Sequence, residues 1–353
     1  MKLLNKTLQS IQPADQTFMK KAYERLDNQA RPNGSLGKLE HMAARLASIY
    51  QQIDIHLDNK MIVVCAGDHG ICEASVSRFP ADVTPQMVLN FVQGGASINV
   101  LANDAGAKVR VADLGVNYPF EKDLPIFHKK IEYGTHNFSK TTAMTRVQAI
   151  SSIEAGIEIV EELLAEQPVH VLGTGDMGIG NTTPSTAIIA CYSKYPVKEL
   201  AGRGTGIDDQ GLQKKIQIIE KSIQMHQPDP SDPIDVLQKV GGFEIGGLCG
   251  LVLGAALHKI PVICDGLIST AGALLAIELC QTAKDYLFAS HQSVEIGHKY
   301  MLDHLNLDPL LQLDFRLGEG TGAAIGMKLM DAATRVLAEI KTFDEVGITN
   351  AQK

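Results

Sequence analysis

The run RLGEGTGAA, residues 316–324, sets a single carboxylate, Glu319, between Gly318 and Gly320. Glycine on both sides lets the backbone come close to a ligand with no Cβ in the way. The chemistry open to a carboxylate in that setting is proton abstraction. The plainer alternative is a helix-start carboxylate favoured by the helix dipole. Leu311 to Phe315 reads as a short strand, and Ala323 to Leu337 carries apolar residues at helical spacing, so Glu319 is expected in the loop between them. Loops at the carboxyl ends of strands are where open α/β sheets bind ligands.

A second run, GTGDMGIGNTT at 173–183, follows the strand-like PVHVL and precedes a helix starting near Pro184. Its four glycines alternate with small or flexible residues, and the loop is suited to a monophosphate. Asn181, Thr182 or Thr183 can cap the helix and leave its amides free for an anion. The run also satisfies G-x-G-x-x-G, which makes a nucleotide-dependent oxidoreductase using residues 173–180 the rival enzyme, and a nucleotide-binding regulatory protein the non-enzyme rival. A dinucleotide site requires a ribose-binding acid at a strand end about twenty residues on. CYSKYPVKEL occupies that place instead.

AGRGTGIDD at 201–209 is another glycine-rich turn, followed by a helix with Lys214 and Lys215. A left-handed turn with a solvated helix face explains it as well as phosphate binding does, and Asp208–Asp209 suit a helix cap. AGDHGI places Asp68 and His69 at a strand end, without a second cluster at ligand spacing, so no metal site is expected. Ser77, Phe79 and Gln86 offer a hydroxyl, an aromatic wall and an amide, a set suited to a flat heteroaromatic ring. Alternatively Phe79 is core and Gln86 caps a turn.

Four runs rich in β-branched residues, 61–67, 108–115, 168–175 and 261–266, read as buried strands, with 284–290 and 311–315 as shorter candidates. Helical stretches at 85–105, 149–166, 209–224, 244–258 and 267–281 lie among them. This alternation predicts an α/β, Rossmann-like fold: a mainly parallel sheet flanked by helices. Residues 15–27, 38–51 and 323–341 are helical without strands, which predicts a small helical domain built from both termini. The expected boundaries are 1–30 and 322–353 for that domain and 31–321 for the large α/β catalytic domain.

The chain of 353 residues has 45% hydrophobic and 20% charged residues and a formal net charge of -8. No Lys/Arg stripe supplies the counterion release that nucleic-acid binding needs. No stretch of about twenty apolar residues suggests a membrane span. Six cysteines without a C-x-x-C pair indicate a reducing compartment, and the absence of an apolar leader makes the cytoplasm the expected location.

Taken together, PNGSLGKLE, AGDHGI, VSRFPADVTPQMVLNFVQGGASINVLA, GTGDMGIGNTT, GRGTG and RLGEGTGAA resemble the nicotinate-nucleotide:dimethylbenzimidazole phosphoribosyltransferases of cobalamin nucleotide-loop assembly. The resemblance runs in order from about residue 31 to residue 330. It implies transfer of phosphoribose from nicotinate mononucleotide to 5,6-dimethylbenzimidazole, with inversion at the anomeric carbon, giving α-ribazole 5′-phosphate and nicotinate. It implies no cofactor, and a homodimer whose sites are partly closed by the neighbour's helical domain. Carried over residue by residue, it makes Glu319 the general base and puts the phosphate on Gly178, Ile179, Gly180 and Asn181, with Gly204, Lys215 and Ser293 as further contacts. The benzimidazole would meet Ser77, Phe79, Gln86 and Leu317. At one position the chain departs from the family pattern: many members carry Glu where it has Asp176, an auxiliary catalytic acid of shorter reach.

Overall fold

The computed structural model describes residues 1–350. Three helices, α1 (Lys2–Ser10), α2 (Gln16–Asn28) and α3 (Lys38–Tyr50), precede the first strand. Then come β1 (Lys60–Gly67), α4 (Val83–Gln93), α5 (Ser97–Asp104), β2 (Ala107–Gly115), β3 (Phe127–His128), α6 (Arg146–Glu166) and β4 (Val171–Met177). They are followed by α7 (Thr182–Tyr192), α8 (Val197–Leu200), α9 (Asp209–His226), α10 (Pro233–Val240), α11 (Phe243–Leu257), β5 (Val262–Cys264) and α12 (Leu267–Leu279). The chain continues through β6 (Leu287–Ala289), α13 (Ile296–Leu305), α14 (Thr321–Glu339) and α15 (Phe343–Val346).

The six strands form one sheet in the order β3-β2-β1-β4-β5-β6, with every paired neighbour parallel. This is the Rossmann strand order, and its direction of travel reverses between β1 and β4, where a crevice opens at the carboxyl ends. Cys65 of β1 stands beside Asp176 of β4, and Ala66 beside Met177. AGDHGI and the Gly178 turn therefore leave the sheet next to each other. All eight residues of β1 are buried, as expected of a strand covered on both faces.

One face is covered by α11, which packs on β1, β2, β4 and β5 and against α6 and α12. Its residues Phe243 to Ala256 are all buried, so the helix is apolar all round and internal. α14 covers the other face, packing on β1, β4 and β5 and against α5. Beyond the sheet α14 meets α3, which also packs on α2. Arg25 of α2 donates to the carbonyls of Leu337 (2.8 Å) and Ala338 (3.0 Å), closing the last turn of α14. Among the described residues no helix is long and apolar enough to cross a membrane.

Several elements differ from the sequence expectation. β4 runs on to Met177, so Gly173 and Gly175 are strand residues. Only Gly178 and Gly180 remain in the loop, which removes the dinucleotide fingerprint. The expected helix 85–105 is two helices, α4 ending at Gly94 with φ 80° and α5 beginning after Gly95. Residues 311–315 are not a strand: Leu311 makes an isolated parallel bridge to His291, and Asp314 takes φ 53°, which breaks an extended run. Residues 281–286 form a 3-10 helix, leaving only 287–289 as β6. β3 spans two residues and carries no readable pattern.

Candidate active site

Gly318, Glu319 and Gly320 adopt φ of 83°, 63° and 94°, three left-handed residues in succession, and α14 starts directly after them. For the glycines this is easy. For Glu319 it costs about 1–3 kcal/mol and persists only where the surroundings enforce it. Asp265, at the end of β5, does so by accepting the N–H groups of Gly320 at 2.9 Å and Gly322 at 2.8 Å. The Glu319 N–H donates to the Asp176 carbonyl at 3.3 Å. Beneath it Gly175 has no side chain, because a Cβ there would collide with the Glu319 carbonyl.

The Glu319 side chain is buried and turned toward a different helix from the one it precedes. Its Oε2 accepts the Ile98 N–H, in the first turn of α5, at 3.3 Å. Its Oε1 has no protein hydrogen-bond partner among the described residues, which leaves one basic oxygen for a substrate proton. Burial raises the pKa of Glu319 above the usual carboxylate range, and the Ile98 amide only partly restrains the rise. The helix-start alternative therefore fails for α14. The carboxylate is held by a buried amide in the first turn of α5, a contact that by itself favours its ionised form.

Asp176 lies at the end of β4, fully enclosed. Burial drives its pKa well above normal, the carboxylates of Asp265 and Glu244 push the same way, and Asn181 resists. Asp176 Oδ2 accepts from Asn181 Nδ2 at 3.0 Å, whereas Oδ1 has no hydrogen-bond partner among the described residues. Asn181 thus occupies the N-cap position of α7 without capping it, since its amide is committed to Asp176. In the turn itself, the Ile179 N–H donates to Thr84 Oγ1 at 3.2 Å and the Asn181 N–H to the Gly178 carbonyl at 3.1 Å. Those bonds do not use the amides of Gly178 and Gly180. Gly180 needs to be glycine: its φ is 90°, and a Cβ would lie 2.5 Å from Cys72 Sγ.

The two adjacent lysines part company. Lys214 is exposed, while Lys215 is fully buried and donates to Thr182 Oγ1 at 2.8 Å and to the Gly202 carbonyl at 3.2 Å. Burial lowers its pKa to about 8 against the opposing pull of Glu295. The solvated-face alternative thus describes Lys214 alone. Gly204, with φ 52°, gives its amide to Glu295 Oε1 at 2.9 Å. Ser293 donates its hydroxyl proton to the Phe315 carbonyl at 3.0 Å and its amide to His298 Nδ1 at 2.9 Å. Asp208 caps α9 through the Gly211 N–H at 2.8 Å.

Ser77 Oγ meets Thr205 Oγ1 at 3.1 Å, tying the 76–82 loop to the GRGTG turn. Phe79 is not core: it and Leu317 expose 54% and 55% of their surface. Gln86 projects from within α4 and caps no turn. All three side chains are exposed, so none of them is enclosed in a pocket. Asp68 Oδ2 accepts the Asn117 N–H at 2.8 Å. His69 Nε2 lies 2.8 Å from Glu244 Oε1, both buried. Burial opposes the charged imidazole, but Glu244 outweighs it and the His69 pKa is raised.

Sequence reasoning did not single out Asp265, Glu244, Glu295 or Thr84. A signal existed for the first, because PVICDG ends a strand in Asp-Gly, the position from which the neighbouring loop can be reached.

A phosphoribosyltransferase family model matches residues 11–348. The chain belongs to this family. A nicotinate-nucleotide–dimethylbenzimidazole phosphoribosyltransferase of Geobacter sp. (strain M21) is 51% identical over 350 residues, covering 99% of this chain and 100% of the relative. One so named from Desulforudis audaxviator (strain MP104C) is 47% identical over 354 residues, covering 100% and 99%. The crystal structure of the enzyme so named from Thermus thermophilus superposes with a TM-score of 0.90 at 38% identity, covering 96% of this chain and all of that one. Family membership and the Rossmann-like sheet thus agree.

Proposed function

We propose that the protein transfers phosphoribose from nicotinate mononucleotide to 5,6-dimethylbenzimidazole, giving α-ribazole 5′-phosphate and nicotinate for the lower ligand of cobalamin. The observation that carries this reading is Glu319: a strained, buried carboxylate with one oxygen unpartnered, at the sheet crevice beside a phosphate-type turn. In a family of phosphoribosyltransferases that set calls for one proton acceptor and one phosphate seat.

The chemistry needs little more. A pyridinium leaving group departs as a neutral ring, so departure requires no acid. Glu319 takes the N–H proton of the benzimidazole while the other ring nitrogen attacks the anomeric carbon, a role that typically contributes ~10²- to 10⁴-fold. A β-nucleotide becomes an α-product by one in-line displacement with inversion, and holding the two rings and the sugar in line supplies much of the remaining acceleration. The phosphate sits on the Gly178–Asn181 turn with Lys215 behind it. Ser77, Phe79, Gln86 and Leu317 face the benzimidazole. Asp176, kept toward its neutral form by burial, supports the turn through Asn181.

The accompanying reading is a cytoplasmic homodimer in which the helical unit of residues 1–30 and 322–353 covers the partner's site, supported by the exposed apolar surface of Phe79 and Leu317. Incubating the protein with nicotinate mononucleotide and dimethylbenzimidazole tests the activity. Release of nicotinate together with an α-riboside is expected; neither product at saturating substrates would refute it. Light scattering at working concentration tests the dimer, and a monomer would remove it.

A further inference from the structure

Glu295 stands at the start of α13 and reaches into the turn between α8 and α9. Its Oε1 accepts the Gly204 N–H at 2.9 Å. Its Oε2 packs against Gly202 so closely that a Cβ there would collide with it. Gly202 in turn gives its carbonyl to Lys215 Nζ at 3.2 Å, and the same ammonium reaches Thr182 Oγ1, at the first residue of α7, at 2.8 Å. Glu295 Oε2 is buried with no hydrogen-bond partner among the described residues. A buried carboxylate oxygen left in that state is destabilising unless a nearby charge offsets it.

We propose that Glu295 is a positioning residue for the phosphate seat: it fixes the Gly202–Gly204 turn and, through the Gly202 carbonyl, holds the Lys215 ammonium at the entrance to α7. The inference rests on the reading in which Lys215 and the Gly178–Asn181 turn receive the nucleotide phosphate.

The physical reason is that burial disfavours an ammonium, and a neighbouring carboxylate restores it. Lys215 is already pulled down to about 8 with Glu295 in place. Other charged groups on the surrounding elements do not supply the same effect. Lys198 and Glu199 of α8 and Lys214 of α9 are exposed. Arg203 engages Asp209 at the surface, and Arg78 reaches only the Gly206 carbonyl. On α10, Asp235 and Lys239 pair with each other at 2.8 Å. His298 of α13 is held neutral by burial, its pKa lowered to about 3. Without Glu295 the amine would become neutral nearer neutral pH, and a neutral amine loses its charge-assisted grip on phosphate.

The test is the pH profile of kcat and KM for nicotinate mononucleotide, from about pH 6 to about pH 9, in the full-length protein with dimethylbenzimidazole saturating. In Glu295→Gln the Gly204 bond can persist while the charge is gone. Its alkaline limb should move acidward by about one pH unit, so that KM near pH 8 rises roughly five-fold while kcat changes little. Glu295→Asp, with its charge farther away, should fall between the two. Lys215→Met should raise KM and abolish the limb. If Lys215→Met leaves KM unchanged, the phosphate role of Lys215 fails and the inference falls with it. If Lys215→Met raises KM yet the Glu295→Gln limb coincides with wild type, the inference alone is overturned. Should Glu295→Gln not fold, Glu295→Asp decides: an acidward limb supports the proposal, and an unmoved limb overturns it.

Discussion

Asp265 Oδ2 takes the Gly320 amide at 2.9 Å, so the backbone torsions of Glu319 are set from the neighbouring strand as much as from the helix that follows. Asp265 is fully buried, its pKa raised to about 7 by burial and restrained by the amides of Gly320, Gly322, Ala323 and Gly266. Asp265→Asn turns an amino group toward one of those amides. It should lose about 1–3 kcal/mol of stability through the unsatisfied donor. It should also lower kcat at least ~10-fold, because small misplacements of a reacting group are costly. Thermal melting and steady-state kinetics on one preparation check both parts.

Glu319→Gln preserves shape and removes proton acceptance. The expected result is a fall in kcat of ~10²-fold or more with little change in nicotinate mononucleotide affinity. Near-normal turnover in a slightly less stable protein would retire the base assignment. Asp176→Asn, which keeps a partner for Asn181 available, should cost less activity than Glu319→Gln.

The pH dependence follows from the direction of the Glu319 shift. A base acts in its ionised form, and burial has raised the pKa above 4.5, the ordinary value. Activity should therefore fall as pH falls through the raised value, placing the acid limb of kcat above the usual carboxylate range. The limb should vanish from the residual activity of Glu319→Gln. A limb that survives in that variant would point to another group.

Gly318, Gly320 and Gly94 separate torsional strain from collision. All three have positive φ. A Cβ on Gly94 meets open space, on Gly318 it lies 3.1 Å from Asp176 Oδ2, and on Gly320 it lies 2.8 Å from Ile62 Cγ2. Gly94→Ala should cost only about 1–2 kcal/mol of backbone strain with activity retained. Gly318→Ala and Gly320→Ala should cost more and lower kcat, with Gly320→Ala the more damaging. Denaturant unfolding and turnover of the three variants give the ranking.

The β-branched runs at 61–67 and 108–115 announced their strands to within about a residue: the first is buried along its whole length and so nearly all apolar, whereas the second opens half-exposed, with Lys108 and Arg110 alternating with valines, and only its last five residues are buried. The isolated acid in RLGEGTGAA was legible for a similar reason: few structural needs place a carboxylate among glycines. What the sequence could not convey was partnership across the sheet. Nothing local distinguishes Lys214 from Lys215, since only the packing of α9 against α7 decides which is enclosed. Thr84 and Asp265 act on residues about 95 and 55 positions away. The false strand at 311–315 has strand-like composition, but Asp314 takes a left-handed torsion that composition does not reveal.

α14 has 19 residues, a stiff rod of about 28 Å. Its near end begins at the Glu319 turn, and its far end is gripped by Arg25 and by Gln29, which donates to the Val336 carbonyl at 2.7 Å. The opening segment of the chain is thus a handle on Glu319, the proposed base. Trimming it would slacken the rod and blunt the chemistry at the opposite end, with every residue of the crevice left in place.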